Sequence, residues 1–489
     1  MFRCDGFLIQ LNAMKRILAI LLWGIVSTGV WAQNRTVDYS ASVSGFVSTK
    51  DNLPLWAVSN RYGLMPDGQG GLLEAGVFSD FTDKHKISFA YGVSGAGYLS
   101  DFDNHILLDQ LYISGRWRNL RLDLGMIHRD TEYEGISSTN GDIVWSNNAR
   151  TMPGYNLRSD YIAIPWTNKV LSFQFNWADY KMIDDRYVED TRLHNKSLFL
   201  KIKPARRWEI IVGLEHWAQW GRTSPTFAKP PSSYKDYLRT VGGTAGRQGA
   251  STSDVINALG NHLGREHLRI NYLADNYTLT FYHDIPFEDG SGTDFRSFPD
   301  GTYSFYYGAH NKKQWVSDVI YEFYYTKYQS GRYHDRPVNP GHPEDGKKVL
   351  GGNDNYFNNG EYRSGWTYYG RTIGTPFLTP LAPNAQGITM GIYNNRIIGH
   401  HLGLKGYAFQ CIPYKAMLTY TLNYGRYGVP LPDLPVKQFS FGLEAGLPDS
   451  RHIPFHIDLG VYGDFGRLLT NNFGVTVKFT RKAVLWSRK

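Results

Sequence analysis

One segment in the second half of the chain combines the side chains with which proteins bind sugars. Residues 353–371 bring together planar aromatic rings, carboxamides and guanidinium groups. An aromatic face packs against the C–H side of a sugar ring, and guanidinium groups pair with hydroxyls or, bidentately, with the carboxylate of an acidic sugar. The composition therefore predicts a glycan-binding surface, with these candidate residues: Arg363, Trp366, Tyr368, Tyr369 and Arg371.

A second interpretation of the same segment stays open. The Tyr and Trp residues could form a membrane-interface girdle, and the Arg residues could fill a barrel lumen with ion pairs. Other candidate chemistry is weaker. His400 and His401 are adjacent, so on a strand they would point to opposite faces, and Asp184 and Asp185 have the setting of a solvated polar turn. The sequence predicts no catalytic residue, no metal site and no cofactor, and hence no enzyme.

Composition narrows the fold class. The chain has 489 residues, of which 42% are hydrophobic and 15% aromatic, and it has only 2 cysteines. This aromatic content excludes disorder, and the cysteine count excludes a disulfide scaffold. No stretch beyond the N-terminus is long and apolar enough for a spanning helix. Basic residues alternate within strands and do not cluster, so nucleic acid is not an expected partner. Length alone suggests about two to four domains, unless one large barrel uses the whole chain.

The N-terminus is typical of an exported protein. Residues 14–32 consist of a charged start, an apolar run from Ile17 to Val26, and a small-residue end at Ala32. We expect residues 1–32 to be an extension and signal peptide and residues 33–489 to be a single barrel. The mature chain would keep only Cys411, which leaves no intramolecular disulfide.

Alternation of apolar and polar residues recurs along the mature chain. Examples are residues 87–94, 121–126, 171–177, 418–424, 439–444, 455–461 and 473–479. Strict alternation predicts strands with one apolar face, and large apolar residues opposite small or polar ones are typical of a transmembrane antiparallel β-barrel. About 16 to 18 candidate strands can be placed. Aromatic residues predicted to form the interface girdles are Trp166, Trp177, Tyr180, Trp208, Trp217, Trp220, Tyr420, Tyr424 and Tyr427.

Four segments interrupt the alternation. Residues 52–71 predict a short helical segment with Asn52 as its cap, and residues 219–264 contain a predicted helical turn at Ser253–Leu259. Residues 284–313 and 325–374 are long loops, which usually carry function. The residues 117–119 and 274–276 predict tight turns between adjacent strands.

Three motifs resemble the Wzi-type capsule-assembly outer-membrane proteins. They are Leu55–Gly63, Gly365–Pro376, and Asn395-Arg396 followed by Gly399–Gly403. The resemblance implies a barrel of about 18 strands with a short periplasmic helical segment, for which residues 52–71 are the candidate. It adds Asn395 and Arg396 to the predicted glycan-binding residues.

The resemblance also implies a function. A lectin-like barrel would bind capsular polysaccharide and help to attach or organise capsule at the surface of a Gram-negative bacterium. Expected partners are capsular or surface polysaccharide, outer-membrane lipid and lipopolysaccharide, and the expected state is a monomer in the outer membrane, exposed at the cell surface. The alternative function is a diffusion channel, a porin for oligosaccharides, because a polar and aromatic lumen serves that function equally well.

Overall fold

The computed structural model describes most of the chain between Thr36 and Ser487. The described residues are 36–82, 87–221, 225, 233–243, 259–288, 297–332, 334–336, 346, 349–448 and 453–487. The strands that form the main sheet are β1 Thr36–Ser48, β2 Gly70–Ser79, β3 Ile87–Ser100, β4 Asn104–Trp117, β5 Leu120–Met126, β6 Gly154–Ser159, β7 Ile162–Ala163, β8 Leu171–Lys181, β9 Arg192–Ala205, β10 Trp208–Trp220, β11 Asn261–Leu273, β12 Tyr277–Phe287, β13 Gly301–Ala309 and β14 Asp318–Tyr325.

The remaining elements lie in or after the longest connection. Short strands pair there as three small hairpins: β15 His334–Arg336 with β16 Val349–Gly351, β17 Thr367–Tyr368 with β18 Arg371–Thr372, and β19 Thr379–Pro380 with β20 Ile392–Asn394. The main sheet resumes with β21 Ile397–Ala408, β22 Ile412–Asn423, β23 Val436–Gly446, β24 His456–Gly466 and β25 Asn472–Ser487.

The main sheet closes on itself as an antiparallel barrel. Consecutive strands pair around the ring, β14 pairs with β21, and β1 pairs with β25 from Thr36 opposite Ser487 to Ser48 opposite Gly474. β6 and β7 both pair with β8, so together they occupy one position in the barrel wall. The 19 strands of the sheet therefore form a barrel of 18 strand positions. The predicted fold class, an antiparallel barrel of about 18 strands, is confirmed. Closure leaves no free sheet edge, as lipid requires.

The alternating pattern sorts side chains between the two faces of the wall. On the seam, Val43 lies opposite Leu73 on one side and Phe479 on the other, and all three are exposed on the outer face. Their neighbours Ser42 and Ser44 are buried on the lumenal face. An apolar exterior around a polar lumen is the arrangement of a membrane-spanning barrel.

The predicted aromatic girdle is correct in part. Trp166 is 85% exposed and Trp208 is 44% exposed, as an interface position requires. Trp217 and Trp220 are buried, and Tyr180 packs against the interior hydrophobic cluster. The prediction was wrong for Trp217 and Tyr180, because strand register and not residue type decides which face a ring occupies. Trp220 is on the outward face of β10, but its ring is covered by Tyr237 at 5.3 Å.

The two ends of the barrel differ. Connections at the end that holds both chain termini are short, and the tight turns predicted at 117–119 and 274–276 are both confirmed there. The connections at the opposite end include 49–69, 127–153, 221–260 and 326–396. We call this opposite end the long-loop end.

Two α-helices occur in the described part of the chain, α1 Leu55–Val58 and α2 Tyr234–Gly242, with single 3-10 turns at Tyr133–Gly135 and Pro165–Thr167. The short helix predicted within 52–71 is present, but its N-cap is Pro54 and not Asn52. Helix α2 was not predicted, and residues 253–258 of the predicted turn lie outside the described residues. No helix among the described residues is long and apolar enough to cross a bilayer.

Candidate functional site

Three connections from the long-loop end fold back into the lumen. We call residues 49–69, 127–153 and 354–378 the lumenal plug. Its side chains form one hydrophobic cluster with inward-facing residues of the wall, in which Trp56, Ile143 and Trp366 are almost completely buried. A loop buried in this way must satisfy its backbone and polar groups inside the protein.

A buried guanidinium joins the plug to the wall. Arg265 on β11 donates to Glu215 of β10 at 2.8 Å and to Asp284 of β12 at 2.8 Å. The same group lies 3.2 Å from Asp142 of the plug and donates to the carbonyl of Gly141 at 2.8 Å. One cation therefore compensates carboxylates from two strands and one loop, all of them buried.

A second polar contact attaches the same loop to the nearby strand β14. The carboxylate of Glu322 on β14 accepts from the hydroxyl of Ser137 at 2.6 Å and from the backbone N–H of Ser138 at 2.9 Å. Tyr282 of β12 donates to the same carboxylate at 2.6 Å. Together with the Arg265 network, these contacts hold residues 137–142 against the inner face of strands β10 to β14.

The three motifs that carry the family resemblance meet in the plug. The ring of Trp56 lies 5.1 Å from that of His401 and 6.0 Å from that of Phe377, which directly follows the second motif. Trp56 Nε1 donates to Thr419 of β22 at 3.2 Å, and His401 Nε2 lies 2.9 Å from the carbonyl oxygen of Ile136. These motifs therefore encode the packing of the plug against the wall.

Three of the predicted glycan-binding residues are fully buried. Trp366 donates from Nε1 to the carbonyl of Val144 at 2.6 Å, and Tyr368 is 0% exposed beside it. Asn395 donates from Nδ2 to Asn355 at 2.7 Å and to the carbonyl of Tyr356 at 2.8 Å. Their positions give them a packing role, and their role in sugar contact remains a prediction.

Two other predicted glycan-binding residues, Tyr369 and Arg363, are exposed at the long-loop end. The tyrosine stacks with an arginine, and the arginine stacks with a tyrosine. The guanidinium carbon of Arg150 lies 4.0 Å from the ring centre of Tyr369, which is 40% exposed. The guanidinium of Arg363, also exposed, lies 4.9 Å from the ring centre of Tyr187. We call these two the rim Arg–Tyr pairs. Stacking holds the planes of each guanidinium and ring in a fixed geometry.

The β8–β9 connection brings the rim Arg–Tyr pairs together. The backbone N–H of Tyr187 donates to Ser364 Oγ at 2.9 Å, and that of Tyr369 donates to Asp184 Oδ2 at 3.2 Å. Asp184 also pairs with Arg186 at 3.1 Å. Burial raises the pKa of Asp184, and the pairing with Arg186 opposes that rise.

The last two predicted residues, Arg371 and Arg396, lie apart from these pairs. Arg371 donates to Asp67 at 2.7 Å and to the carbonyl of Met65 at 3.0 Å, so it connects two plug segments. Arg396 stacks on Tyr427, with its guanidinium carbon 3.7 Å from the ring centre. Some of the predicted Arg residues therefore form internal contacts and others lie beside aromatic rings, and their contact with a sugar remains a prediction.

The partners Arg150 and Tyr187 were missed by the sequence reasoning, and Tyr427 was predicted only as an interface-girdle residue. Arg150 and Tyr187 lie in other connections, and Tyr427 lies in the β22–β23 connection. Nothing in the spacing of residues 353–371 points to them. The sequence could have marked each of them only as an aromatic or basic residue in a loop, and such residues are common in this chain.

Cavities remain beside and below the plug. One of about 970 Å³ runs along β1, β2, β24 and β25, from Arg61 and Tyr62 of the plug to Lys482 near the short-turn end. It is lined by internally paired charges, among them Glu74 with Lys478 at 2.6 Å. A smaller cavity of about 230 Å³ lies beside Trp145 of the plug.

The fold is shared with known outer-membrane barrels. Wzi of Escherichia coli, described as an outer-membrane protein involved in group 1 capsule assembly and as a carbohydrate-binding β-barrel, superposes with a TM-score of 0.55. The two chains are 12% identical over 92% of this chain and 84% of Wzi. The resemblance inferred from the three motifs is confirmed at the level of the fold.

Two further solved structures superpose less well. OccK3 (OpdO) of Pseudomonas aeruginosa has a TM-score of 0.47 at 10% identity, covering 92% of this chain and 96% of its own. OccAB2 of Acinetobacter baumannii has a TM-score of 0.46 at 9% identity, covering 92% and 98%. No protein-family model matches the chain, and no sequence match to a characterised protein is found.

Removal of Arg265 should release the plug. Arg265→Leu leaves the buried carboxylate of Glu215 without its cation, Asp142 with Arg129 alone and Asp284 with His267 alone, at a cost of about 3–5 kcal/mol. We expect the variant to conduct ions in planar bilayers and to lose protection of residues 127–153 from trypsin, whereas the parent protein should conduct almost none.

A matched control is Arg207→Leu, which removes an exposed Arg–Asp275 pair of 2.8 Å at a turn. Exposed pairs contribute little, so this variant should behave as the parent. Equal conductance of Arg265→Leu and the parent protein would contradict the assignment of Arg265 as the plug anchor.

Asp300 provides a pH-dependent anchor for the longest connection. Its carboxyl group is buried, accepts from the backbone N–H of Tyr328 at 2.9 Å and from the hydroxyl of Tyr356 at 2.9 Å, and precedes β13. Burial raises the pKa of Asp300 to about 6. A raised folded-state pKa contributes stability that is complete below the unfolded value, about 3.9, and is lost as the pH rises through about 6.

We therefore expect the connection around Tyr328 to loosen as the pH rises from about 4 to about 7, by at most about 3 kcal/mol. Hydrogen exchange of the Tyr328 amide, corrected for its intrinsic pH dependence, measures this. In Asp300→Asn the exchange should show no such step. A step of equal size in both proteins would assign it to another group.

Proposed function

We propose that the protein is an outer-membrane barrel that binds surface polysaccharide, in the first place capsular polysaccharide, at its long-loop end and helps to retain it on the cell. The observation that carries this proposal is the pair of exposed Arg–Tyr stacks on the rim, above a lumen occupied by the plug. Planar aromatic faces next to guanidinium groups suit sugar rings and their carboxylates or hydroxyls.

The orientation follows from the two barrel ends. Outer-membrane barrels carry short turns at the periplasmic end and longer loops outside. We infer that the long-loop end faces the exterior, which would put the rim Arg–Tyr pairs where polysaccharide lies. In this orientation the connection 49–69 enters the lumen from outside, and the periplasmic position predicted for residues 52–71 would have to be revised.

The plug argues against the alternative function of diffusion channel. Its buried contacts with Glu322 and Arg265 attach residues 137–142 to the inner wall over the neighbouring strands β10 to β14. A channel for oligosaccharides would need this segment to leave the lumen, which would break a buried ion network. The fold likeness to Wzi is consistent with carbohydrate binding, although the likeness by itself extends only to the fold.

Capsule retention tests the function in the cell. Deleting the gene should shift polysaccharide from the cell-bound to the released fraction, because the surface contact is lost while synthesis continues. Complementation with the parent gene should restore the bound fraction, and complementation with Arg265→Leu should restore less. Unchanged partition between the two fractions after deletion would contradict the proposed role.

Binding to purified polysaccharide tests the site. Tyr369→Ala and Arg363→Ala each remove one exposed member of a rim Arg–Tyr pair, so each should weaken binding of the organism's own capsular fragments by about 1–2 kcal/mol, or roughly tenfold. Isothermal titration of the detergent-solubilised barrel measures this. Gln386→Ala, an exposed change in the same long connection, is the matched control and should bind as the parent does. Equal affinity of all four proteins would exclude the rim pairs as the site.

A further inference from the structure

Helix α2 lies against the outer wall of the barrel and not in the lumen. On β9, Asn195 points inward and donates to Glu215, so its neighbours His194 and Lys196 point outward. The Tyr237 ring of helix α2 lies edge-on to His194 at 5.7 Å, and Lys196 donates to the carbonyl of Val241 at the last turn of the helix. His194 is 0% exposed although it faces outward, because the helix covers it.

A second contact fixes the first half of the helix. The hydroxyl of Tyr237 donates to Asp179 Oδ2 at 2.9 Å, and Asp179 is an outward residue of β8. Ser233 and Asp236 form a reciprocal capping box at the N-terminus, and Gly243 ends the helix in the left-handed conformation at φ 61°. The helix is therefore defined at both ends and attached to the wall through polar groups.

The helix lies at the level where the outer wall changes from apolar to polar. Going toward the long-loop end, Leu198 is followed by Lys196 on β9, and Leu214 is followed by His216 on β10. Lys196 lies directly opposite His216, so the change occurs in one row across neighbouring strands. Leu198 and Leu214 are 59% and 42% exposed, as members of the lipid-facing belt. This row marks the upper edge of that belt.

The face of helix α2 that points away from the wall combines exposed apolar side chains with an exposed basic side chain. Tyr234 is 74% exposed and Leu238 is 49% exposed, one helical turn apart, and Lys235 between them is also exposed. Exposed large apolar side chains at the edge of a lipid-facing belt lie among lipid headgroups and the first carbons of the acyl chains. Tyr is enriched at that depth, and a Lys can reach the headgroup phosphates.

We propose that helix α2 is an in-plane membrane anchor, in which Tyr234 and Leu238 insert into the outer leaflet and Lys235 pairs with a lipid phosphate. The occupant of this surface is lipid because the helix that carries the exposed pair packs on the row of β9 and β10 at which the lipid-facing belt ends. The helix widens the barrel's contact with the leaflet on the β8–β10 side. This assignment is independent of polysaccharide binding.

Fluorescence quenching in nanodiscs tests the anchor. In a Cys4→Ser/Cys411→Ser background, single cysteines at four positions carry a bimane label: Leu238→Cys and Lys235→Cys on helix α2, Leu198→Cys in the lipid-facing belt, and Gln386→Cys in an exposed loop. Nanodiscs of phosphatidylethanolamine and phosphatidylglycerol contain headgroup nitroxide lipid as one quencher, and iodide serves as the aqueous quencher. Heat-dependent mobility on gels confirms that each labelled barrel is folded.

We expect the label at Leu238 to be quenched by the nitroxide lipid about threefold more than the label at Gln386, with the reverse order for iodide. The label at Lys235 should lie between the two. Iodide quenching at Leu238 equal to that at Gln386 would overturn the anchor, because it would place the helix face in water. Protection of Leu238 from both quenchers would overturn it too, because protein and not lipid would then cover that face.

Discussion

The ion network around Arg265 is the constraint on which the interior depends. A closed barrel with polar residues on its inner face has to pair every charge that is not in contact with water, since an isolated buried charge is very costly. Arg265 cannot satisfy Glu215 and Asp284 and still complete its donor set without Asp142 and the carbonyl of Gly141. The wall and the plug are therefore one cooperative unit, because the donors of Arg265 are all paired only when the plug is in place.

The same constraint sorts the aromatic residues into separate groups. Rings on the outer face, such as Trp208, meet lipid. Rings such as Trp56 and Trp366 carry an N–H that needs a partner, and each finds one inside, at Thr419 and at the Val144 carbonyl. A third group remains exposed on the rim, where Tyr369 stacks with Arg150. The aromatic excess in the composition therefore has several physical causes.

The barrel could be predicted from the sequence because a period of two is a local property of each strand. The motifs with Trp56 and His401 could also be recognised, yet their contact, 5.1 Å between rings, joins residues far apart in the chain and no spacing expresses it. For the same reason the girdle prediction failed at Trp217, whose side depends on the register of β10 and on the plug that covers it. Register and coverage are tertiary properties, so residue type alone does not determine them.

The candidate site shows the limit of composition most clearly. Residues 353–371 form one continuous segment rich in aromatic and basic groups. Adjacent residues in this segment nevertheless differ in burial, because Tyr368 is buried and Tyr369 is exposed. The turn that separates them places Tyr369 at a positive φ of 48°, which directs its ring toward Arg150 from another connection. The surface that carries the rim Arg–Tyr pairs is assembled from three connections, of which the sequence marked one. The geometry of these pairs therefore depends on the plug, because the buried half of the segment holds the exposed half in place.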